Sequence, residues 1–248
     1  QLSGVDLSSV QAPMSCGSPL QPDLKAALFG DFPDGIIELY GLTEGIITTL
    51  QPEDARDRWS SVGKPLIGTD IKIIDEQDVE LPAGQAGEIV TRGRITMPGD
   101  LGREQASREA SWLDPQGNLW LRSGDIGMLD KDNFLYIVDR KKDMILVSGF
   151  NVYPNEVEDV IAADPAVLEV GVIGVPDAHS GERVVAIVVK KDPGWTEESI
   201  MAHCRESLTN YKRPQAVIFA KELPKSNVGK ILRRELRDEF TQSQQAAD

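Results

Sequence analysis

The sequence predicts a mixed protein in two parts: an α/β segment that continues into a β-rich segment, and then a compact α+β unit. Two observations support this prediction. Between Val62 and Asp139, short β-prone runs alternate with turn residues, which is typical of a sheet layer or a small distorted β-barrel. After Lys142, helical and strand patterns alternate instead. We therefore divide the chain into a domain of residues 1–140 and a domain of residues 141–248.

The first part begins with α/β elements. A short strand near Val10, a helix after Pro22 and a strand that leads into Tyr40 are expected there. Apolar runs between turn signals then predict strands over 69–75, 87–92, 119–122, 126–129 and 134–138. Because Asp and Asn tolerate turn backbone, the run 130–133 is expected to connect the last two strands as a hairpin.

The second part has its own series of elements. Pro154 is suited to the first turn of a helix that would continue through Ala163. Apolar spacing predicts strands over 167–175, 183–189 and 216–219, a helix over 197–208, and an amphipathic terminal helix after 230.

The charge balance argues against one class of partner. Forty acidic and 26 basic residues give a formal net charge of −14, whereas nucleic-acid binding needs a net basic surface. We expect no nucleic-acid partner. Anionic small molecules would have to bind at local basic islands, and the runs 140–142 and 225–237 are the candidates.

The cysteine and hydropathy patterns indicate in which cellular compartment the protein is expected. The two cysteines, Cys16 and Cys204, lie far apart and match neither a disulfide framework nor a zinc spacing. No apolar run approaches the length of a membrane span, and we expect no signal peptide at Gln1. A cytoplasmic location is the expectation.

The run Leu223 to Arg234 contains the strongest candidate for a catalytic side chain, Lys230. Gly229 leaves the approach to this lysine without a side chain, and lysine is a compact cation on a flexible stem that can reach an anionic group. The arginines that follow are equally typical of a terminal helix whose basic face is simply solvated. This run alone leaves both interpretations open.

A second run, Tyr40-Gly41-Leu42-Thr43-Glu44-Gly45, is predicted to be a strand end that opens into a loop. Such a loop offers an aromatic face for a base, a hydroxyl for phosphate oxygens and a hard carboxylate ligand for Mg²⁺. The alternative is a turn of no chemical importance.

Further motifs follow in order along the chain. They are Ser15-Cys16-Gly17-Ser18-Pro19-Leu20, Ser123-Gly124-Asp125, the run 139–145, and Ser148-Gly149-Phe150-Asn151. With the two runs above, they resemble the AMP-forming acyl-CoA synthetases, the adenylate-forming ligases that include fatty-acid ligases, coumarate ligases and luciferase. Bacterial long-chain fatty-acid–CoA ligases are similar in particular through 139–155 and 223–236.

The resemblance implies that the chain is the C-terminal half of such an enzyme. Residues 1–140 would be the C-terminal remainder of the large AMP-binding domain, including a β-barrel-like subdomain, and 141–248 the small mobile α+β domain. The family's Ser/Thr/Gly-rich phosphate loop, which ends in Pro-Lys, has no counterpart in this sequence. We therefore expect the 248-residue chain alone to be inactive.

By the same resemblance, the catalytic residues would be Lys230, Thr43 and Glu44. Lys230 would bridge the acyl carboxylate and the α-phosphate, Thr43 would contact phosphate, and Glu44 would hold Mg²⁺. A solvated lysine and an ordinary turn are the alternatives.

ATP or AMP would be bound, by resemblance, through Gly17, Ser18, Pro19, Tyr40, Gly41, Asp125 and Arg140. The first three would lie beside the adenine and Tyr40 against it. Asp125 would accept both ribose hydroxyls, and Arg140 would also reach the ribose. Plain turns around Gly17 and Asp125, and an ion pair of Arg140 with a neighbouring aspartate, are the alternatives.

The resemblance also implies a coenzyme A site and a hinge. Ser148 and Gly149 would line the pantetheine tunnel, although a turn without a ligand is an alternative. Lys142 would be the residue at which the small domain pivots.

The function implied is that of an AMP-forming acid–thiol ligase. It would activate a carboxylic acid, such as a fatty acid, as acyl-AMP and transfer the acyl group to coenzyme A, with ATP, Mg²⁺ and coenzyme A as ligands. Peripheral membrane contact and the oligomeric state stay open. The alternatives are an acyl-adenylating enzyme that loads a carrier protein and a non-catalytic nucleotide-binding fragment.

Overall fold

The computed structural model of the protein describes residues 5–17, 20, 22–32, 34–227 and 229–245. The chain divides into two compact units, Gln1–Val138 (unit 1) and Asp139–Asp248 (unit 2). This division lies close to the predicted one at 140/141. That unit 1 is the remainder of a large AMP-binding domain and unit 2 a mobile domain stays a prediction.

The elements of unit 1 are mostly short strands, and the last of them continues across the boundary between the units. They are β1 (Met14–Cys16), α1 (Pro22–Asp31), β2 (Ile37–Leu42), β3 (Ile46–Leu50), α2 (Pro52–Ala55), β4 (Lys64–Pro65), β5 (Thr69–Ile74), β6 (Gly87–Gly93), α3 (Glu104–Glu109), β7 (Ser111–Leu113), β8 (Leu119–Leu129) and β9 (Leu135–Arg140). One sheet has the order β1-β2-β3-β4, and a second has the order β5-β6-β8-β7 with β9 beside β8.

The first sheet corrects two expectations. The strand expected near Val10 is wrong, because Val10 closes a turn by donating its N–H to the Leu7 carbonyl, and β1 begins at Met14. β2 continues through Leu42 instead of opening into a loop at Tyr40, since it pairs antiparallel with β3 along its length. Only the residues between β2 and β3 form the turn.

The second sheet joins two predicted strands into one. The expected strands 119–122 and 126–129 are parts of β8, which is continuous. Its pairing with β6 shifts register between Glu88 and Val90, so β8 carries a bulge over Ser123–Asp125. Gly124 adopts φ +71° in this bulge, a conformation that favours glycine. The turn-like residues that interrupt the sequence pattern are therefore the bulge itself.

Unit 2 contains the remaining strands and helices. They are β10 (Ile145–Val147), β11 (Phe150–Val152), α4 (Pro154–Ala162), β12 (Val167–Asp177), β13 (Gly181–Lys190), α5 (Glu197–Ser207), β14 (Ala216–Ala220) and α6 (Arg233–Gln245), with 3₁₀ turns at Lys141–Asp143 and Asn210–Lys212. The sheet has the order β11-β10-β13-β12, and β14 pairs parallel with β13.

Helices cover both faces of this sheet. Alternate residues of β13 point to opposite faces, and every residue from Val184 to Val189 is buried. One face packs against α4 and α5, and the other packs against Leu236 and Phe240 of α6. Burial on both faces explains why this strand is a continuous apolar run rather than an alternating one.

Two general features concern the described residues. None of their helices combines the length and the apolar character that crossing a membrane would need. Cys16 and Cys204 are both free thiols, the first exposed and the second buried. Burial raises the pKa of the Cys204 thiol.

Candidate active site

Two of the predicted nucleotide-binding residues meet in unit 1. Tyr40 Oη donates a hydrogen bond of 2.7 Å to Asp125 Oδ2, across a sequence separation of 85 residues. Asp125 is 5% exposed and Tyr40 is half-buried. The structure thus brings a carboxylate and an aromatic ring together at the edge where β2 and the β8 bulge approach each other.

The β8 bulge sets the position of Asp125. Ser123 Oγ donates to the Ile89 carbonyl at 2.9 Å and accepts the Asp125 N–H at 3.0 Å. The hydroxyl therefore ties the bulged backbone to the neighbouring strand on one side and to Asp125 on the other. No role is predicted for Ser123 from the sequence; a hydroxyl two residues before a carboxylate, next to a glycine, is the signal that could have identified it.

The predicted phosphate and metal residues lie in the turn between β2 and β3. Thr43 Oγ1 donates to Glu44 Oε2 at 2.8 Å, and the Glu44 carbonyl accepts the Met97 N–H at 2.8 Å. Gly45 has φ +108°, and a Cβ there would lie 2.2 Å from the Ile95 carbonyl oxygen. The turn is therefore held against the segment that contains Ile95 and Met97 by a contact only glycine permits.

The chemistry of this turn fits one way of binding Mg²⁺. Among the described residues, no group of three or more His, Cys, Asp or Glu side chains could hold a metal by itself. Mg²⁺ is usually bound by one or two carboxylates together with substrate phosphates and water. Glu44 offers one carboxylate beside the Thr43 hydroxyl, which suits a metal that arrives with a nucleotide.

The two glycines predicted to lie near the nucleotide occupy their positions for different structural reasons. Gly17 follows β1 with φ +91°, and no described atom lies within 4 Å of the position of a Cβ. Gly41 lies within β2, where a Cβ would come 2.6 Å from the Ile46 carbonyl oxygen, so it is needed for the close β2–β3 hairpin. Ser18 and Pro19 lie outside the described residues.

In unit 2, Lys230 lies in a closed loop. Lys225 and Ile231 form an antiparallel bridge at its base. Inside it, Ser226 N–H donates to the Lys230 carbonyl at 2.8 Å, and Ser226 Oγ accepts the Lys230 N–H at 3.2 Å. Gly229 has φ +80°, with no described atom within 4 Å of a Cβ position. The backbone of Lys230 is thus fixed at a half-buried position beside an open approach.

Arg233, the first residue of α6, is the centre of a buried cluster. Its Nε and Nη2 donate to Glu158 Oε1 and Oε2 at 3.0 and 2.7 Å, its Nη2 also contacts Asn155 Oδ1, and its Nη1 lies 3.4 Å from Asp139 Oδ1. The side chain is 12% exposed. Burial lowers the pKa of Arg233, but Glu158 and the charges of Asp139 and Asp143 outweigh burial and raise it, so the guanidinium stays charged.

The other basic residues of this segment are also paired. Lys225 forms an ion pair with Glu169, and Arg237 Nη2 lies 2.7 Å from Asp143 Oδ1. The expectation of a basic island over 225–237 that is available to anionic ligands is therefore wrong for Arg233, which is largely buried, and stays a prediction for Lys225 and Arg237, whose side chains are partly exposed. An acidic chain supplies internal carboxylates that neutralise them.

Asp139 is the buried partner at the start of unit 2. It accepts the N–H groups of Arg140 and Asn155, each at 2.7 Å. Burial raises the pKa of Asp139 and prevails over Arg233 and the two N–H donors, which lower it. Arg140 ends β9 with a half-buried side chain, and Lys142 is exposed in the 3₁₀ turn that follows.

Ser148 and Gly149 form the two-residue turn of the β10–β11 hairpin. Their φ values are +52° and +84°, as a type I′ turn requires at both central positions. Ser148 N–H donates to the Ser180 carbonyl at 2.7 Å. The ring of Phe150, just after the turn, stacks on Tyr211 with centroids 4.9 Å apart. The predicted coenzyme A residues are thus an exposed hairpin tip anchored to the neighbouring loop.

Comparison with protein families identifies the chain. The model of the AMP-binding enzymes matches residues 2–99, and the model of the AMP-binding enzyme C-terminal domain matches residues 156–230. The chain belongs to the AMP-binding enzyme family. Gly17, Tyr40 and Glu44 fall in the first matched range and Lys230 in the second, while Asp125, Arg140, Lys142, Ser148 and Gly149 lie between the two.

Comparisons with individual proteins show how similar the chain is to members of the family and how much of each it covers. A long-chain-fatty-acid–CoA ligase of Escherichia coli O6:H1 is 48% identical over 239 residues, covering 95% of this chain and 41% of that protein. ATP-bound MatB from Rhodopseudomonas palustris superposes with a TM-score of 0.82 at 32% identity, over 92% of this chain and 45% of MatB. The amide bond synthetase McbA from Marinactinospora thermotolerans gives 0.83 at 33% identity, over 95% and 47%. The chain therefore spans less than half the length of each.

Proposed function

We propose that this AMP-binding chain supplies nucleotide-binding and catalytic residues to an ATP-dependent, AMP-forming acyl-CoA ligase that acts on a fatty acid. The observation that carries the proposal is the 48% identity to a long-chain-fatty-acid–CoA ligase over 95% of the chain. The hydrogen bond from the half-buried Tyr40 to the buried Asp125 supports it, because a carboxylate placed beside an aromatic ring suits a nucleoside.

The nucleoside contacts would come first. Asp125, as an ionised carboxylate, would accept the ribose hydroxyls, while its bond from Tyr40 and its backbone bond to Ser123 keep it oriented. The ring of Tyr40 would lie against the adenine, beside Gly41 and the segment Gly17-Ser18-Pro19. Arg140 would also reach the ribose through its planar guanidinium.

Chemistry would occur in two steps without a nucleophile from the protein. In the first, the fatty carboxylate attacks the α-phosphorus of ATP, the bond to pyrophosphate breaks, and acyl-AMP forms. In the second, the coenzyme A thiolate attacks the acyl carbon and AMP leaves. The protein would supply orientation and positive charge where negative charge develops.

Three residues would serve the first step. Lys230 would place its ammonium between the acyl carboxylate and the α-phosphate. Thr43 would donate to a phosphate oxygen, and Glu44 would hold Mg²⁺ against the phosphates. When bound, the metal neutralises phosphate charge.

The second step and the location complete the proposal. The Ser148-Gly149 turn would contact the pantetheine arm of coenzyme A, and Lys142, in the turn next to the boundary between the units, would be the hinge. The exposed free thiol of Cys16 favours the reducing cytoplasm as the location. A different acceptor is the second candidate, favoured by the similarity to a protein described as an amide bond synthetase.

The experiment resolves the two steps in the complete natural protein that contains these residues. Pyrophosphate release is measured with ATP, Mg²⁺ and a series of fatty acids, and thioester formation is measured with synthetic acyl-AMP and coenzyme A. Lys230→Ala should lower the first step by about 10²–10³-fold, the usual effect of removing one preorganised donor, and leave the second close to wild type. Lys221→Ala, at an exposed lysine nearby, is the matched control.

Each of the other possible outcomes would lead to a different conclusion. Pyrophosphate release without acyl-CoA formation would favour transfer to a carrier protein or another acceptor. Nucleotide binding without pyrophosphate release from any acid would favour a non-catalytic module. Equal loss of both steps in Lys230→Ala would remove the role proposed for Lys230.

A further inference from the structure

We infer that Arg233 is the positioning residue of Lys230: its guanidinium fixes the Lys230 loop to the body of unit 2, so it governs adenylation without touching substrate. The inference rests on the proposed function, because it assumes that Lys230 acts in the first step. Helical spacing from Leu236 and Phe240 places Arg233 nearer the apolar face of α6 than Arg234, its exposed neighbour, but does not show what either side chain meets. The contacts of the two side chains show this.

The Lys230 loop is short and is attached at both ends. Its base is the bridge between Lys225 and Ile231, and the Leu232 N–H donates to the Pro224 carbonyl at 2.9 Å. Arg233 follows at once and begins α6. The ends of the loop can therefore move only as far as their side-chain anchors allow.

Two residues after the buried Leu223, the polar anchor on the first side is an ion pair. Lys225 contacts Glu169 of β12, and the lysine is partly exposed. Because an exposed pair of this kind contributes little stability, it restrains this side of the loop weakly.

The anchor on the second side is stronger. Arg233 donates two parallel hydrogen bonds to the two carboxylate oxygens of Glu158 in α4, and it also contacts Asn155. Glu158 Oε1 in turn accepts the Val172 N–H of β12 at 2.8 Å. A continuous set of hydrogen bonds therefore runs from the central sheet through Glu158 to the residue that ends the Lys230 loop.

The same guanidinium also reaches the segment at the start of unit 2. Its Nη1 lies 3.4 Å from Asp139 Oδ1 and 3.5 Å from Asp143 Oδ2. A lysine cannot reproduce this arrangement, because one ammonium cannot present the planar fork that meets Glu158 while a third nitrogen faces Asp139. The site thus requires arginine by geometry and not only by charge.

The consequence concerns where Lys230 stands when the acyl carboxylate attacks. A displacement of about 1 Å in a positioned group can cost about 10²-fold in rate. Loosening the Arg233 anchor should therefore slow adenylation strongly while the Lys230 side chain itself is intact. Thioester formation, which does not use Lys230 in the proposed mechanism, should fall much less.

The test compares Arg233→Lys with Arg234→Lys in the complete natural protein. Arg234 is one residue further along α6, its side chain is 92% exposed, and its nearest carboxylate is Asp238 at 4.0 Å, so it is a matched control. Arg233→Lys should reduce adenylation by about 10²-fold. Arg234→Lys should leave both steps at the wild-type rate.

A double variant separates positioning from general damage. If Arg233 acts through Lys230, then adding Arg233→Lys to Lys230→Ala should lower adenylation no further, because the side chain that it positions is already gone. Losses that multiply in the double variant, or equal losses in both steps for Arg233→Lys, would overturn the inference.

The outcomes also separate this inference from the proposed function. If Lys230→Ala keeps normal adenylation, the role of Lys230 is wrong and the inference fails with it, whereas the proposed function fails only if the wild type releases no pyrophosphate with any acid. If Lys230→Ala is slow but Arg233→Lys behaves like Arg234→Lys, only the inference fails. If Arg233→Lys does not fold, Glu158→Gln decides: it keeps the size of the partner but removes its charge, and it should show the same selective loss of adenylation.

Discussion

Asp125 in unit 1 and Lys230 in unit 2 are held in place by different means. Asp125 lies on a strand, and a bulge closed by Ser123 aims its carboxylate toward Tyr40. Lys230 lies on a loop outside regular structure; Ser226 bonds to its backbone, and Arg233, three residues further on, ties the end of the loop to a buried charge cluster.

The difference lies in the kind of support. Ser123, two positions before Asp125, accepts the Asp125 N–H and donates to the Ile89 carbonyl, and Tyr40, 85 positions away, donates to the carboxylate. The partners of Arg233 lie 75 to 94 positions away along the chain. Asp125 is thus positioned by hydrogen bonds from uncharged groups in its own bulge and in β2, whereas the end of the Lys230 loop depends on buried charges from distant elements.

Removing the Arg233 charge should produce the largest effect on stability. Arg233→Met leaves the carboxylates of Glu158, Asp139 and Asp143 without their central cation, and breaking a buried ion pair from one side costs about 3–5 kcal/mol. Hydrogen–deuterium exchange, followed peptide by peptide, should show faster exchange throughout unit 2. Arg234→Met is the control and should change little, as expected for an exposed pair.

The result that would contradict this account is equal protection in the two variants. The buried charge cluster around Arg233 would then contribute little to the stability of unit 2.

Alanine substitutions at Gly45 and Gly229, two glycines with positive φ, should lower stability by intermediate but different amounts. Gly45→Ala should destabilise unit 1 by about 3 kcal/mol or more, because the strained backbone adds to a Cβ placed 2.2 Å from the Ile95 carbonyl oxygen. Gly229→Ala meets no described atom within 4 Å, so it should cost only the backbone term, about 1–2 kcal/mol. Thermal unfolding of the two variants measures the difference; the reverse order would mean that the Lys230 loop, not the Thr43–Glu44 turn, is the more tightly enclosed.

The smallest effects are opposite pH dependences of stability in the two units. Burial raises the pKa of Asp139 above its ordinary value of 3.8, so its contribution to stability is present below 3.8 and is lost as pH rises through the raised pKa. Burial also raises the pKa of Asp114 in unit 1, but hydrogen bonds from Asn118, Trp120 and backbone N–H groups prevail and lower it to about 2. Its contribution is therefore present above 3.8 and is lost as pH falls through about 2.

Chemical unfolding at several pH values measures these slopes. Relative to Asp139→Asn, the wild type should lose stability as pH rises above 3.8. Relative to Asp114→Asn, it should gain stability as pH rises from about 2 toward 3.8. If the slopes of stability against pH had the same sign for both aspartates, ionising Asp139 in the folded protein would be no more costly than ionising Asp114, which accepts several hydrogen bonds.

The part of the fold that the sequence predicts is the part with local signals. The run Val184–Val189 indicates a strand buried on both faces, and the structure has one there. β8 was divided in two because Ser123-Gly124-Asp125 looks like a turn, and only pairing with β6 shows it to be a bulge. The β10–β11 hairpin was missed because strands of three residues are too short to show a period.

The candidate site follows the same rule. Tyr40 and Asp125 were identified separately from local motifs, and the structure adds the bond between them. The role of Arg233 could not be predicted, because helical spacing places it beside the apolar face of Leu236 and Phe240 but does not reveal that buried carboxylates meet it there. That choice is made by Glu158 and Asp139, which only the tertiary structure brings near.

We propose that Asp125 serves the nucleoside and that Lys230 serves the reacting phosphate. The most direct measurement is calorimetric titration of AMP into the wild-type, Asp125→Asn and Lys230→Ala forms of the complete natural protein. Loss of hydrogen bonds to a charged group costs about 1.5–3 kcal/mol, so Asp125→Asn should weaken AMP binding by about 10–100-fold. Lys230→Ala should bind AMP nearly as tightly as the wild type. Wild-type affinity in Asp125→Asn, or a larger loss in Lys230→Ala, would contradict the account.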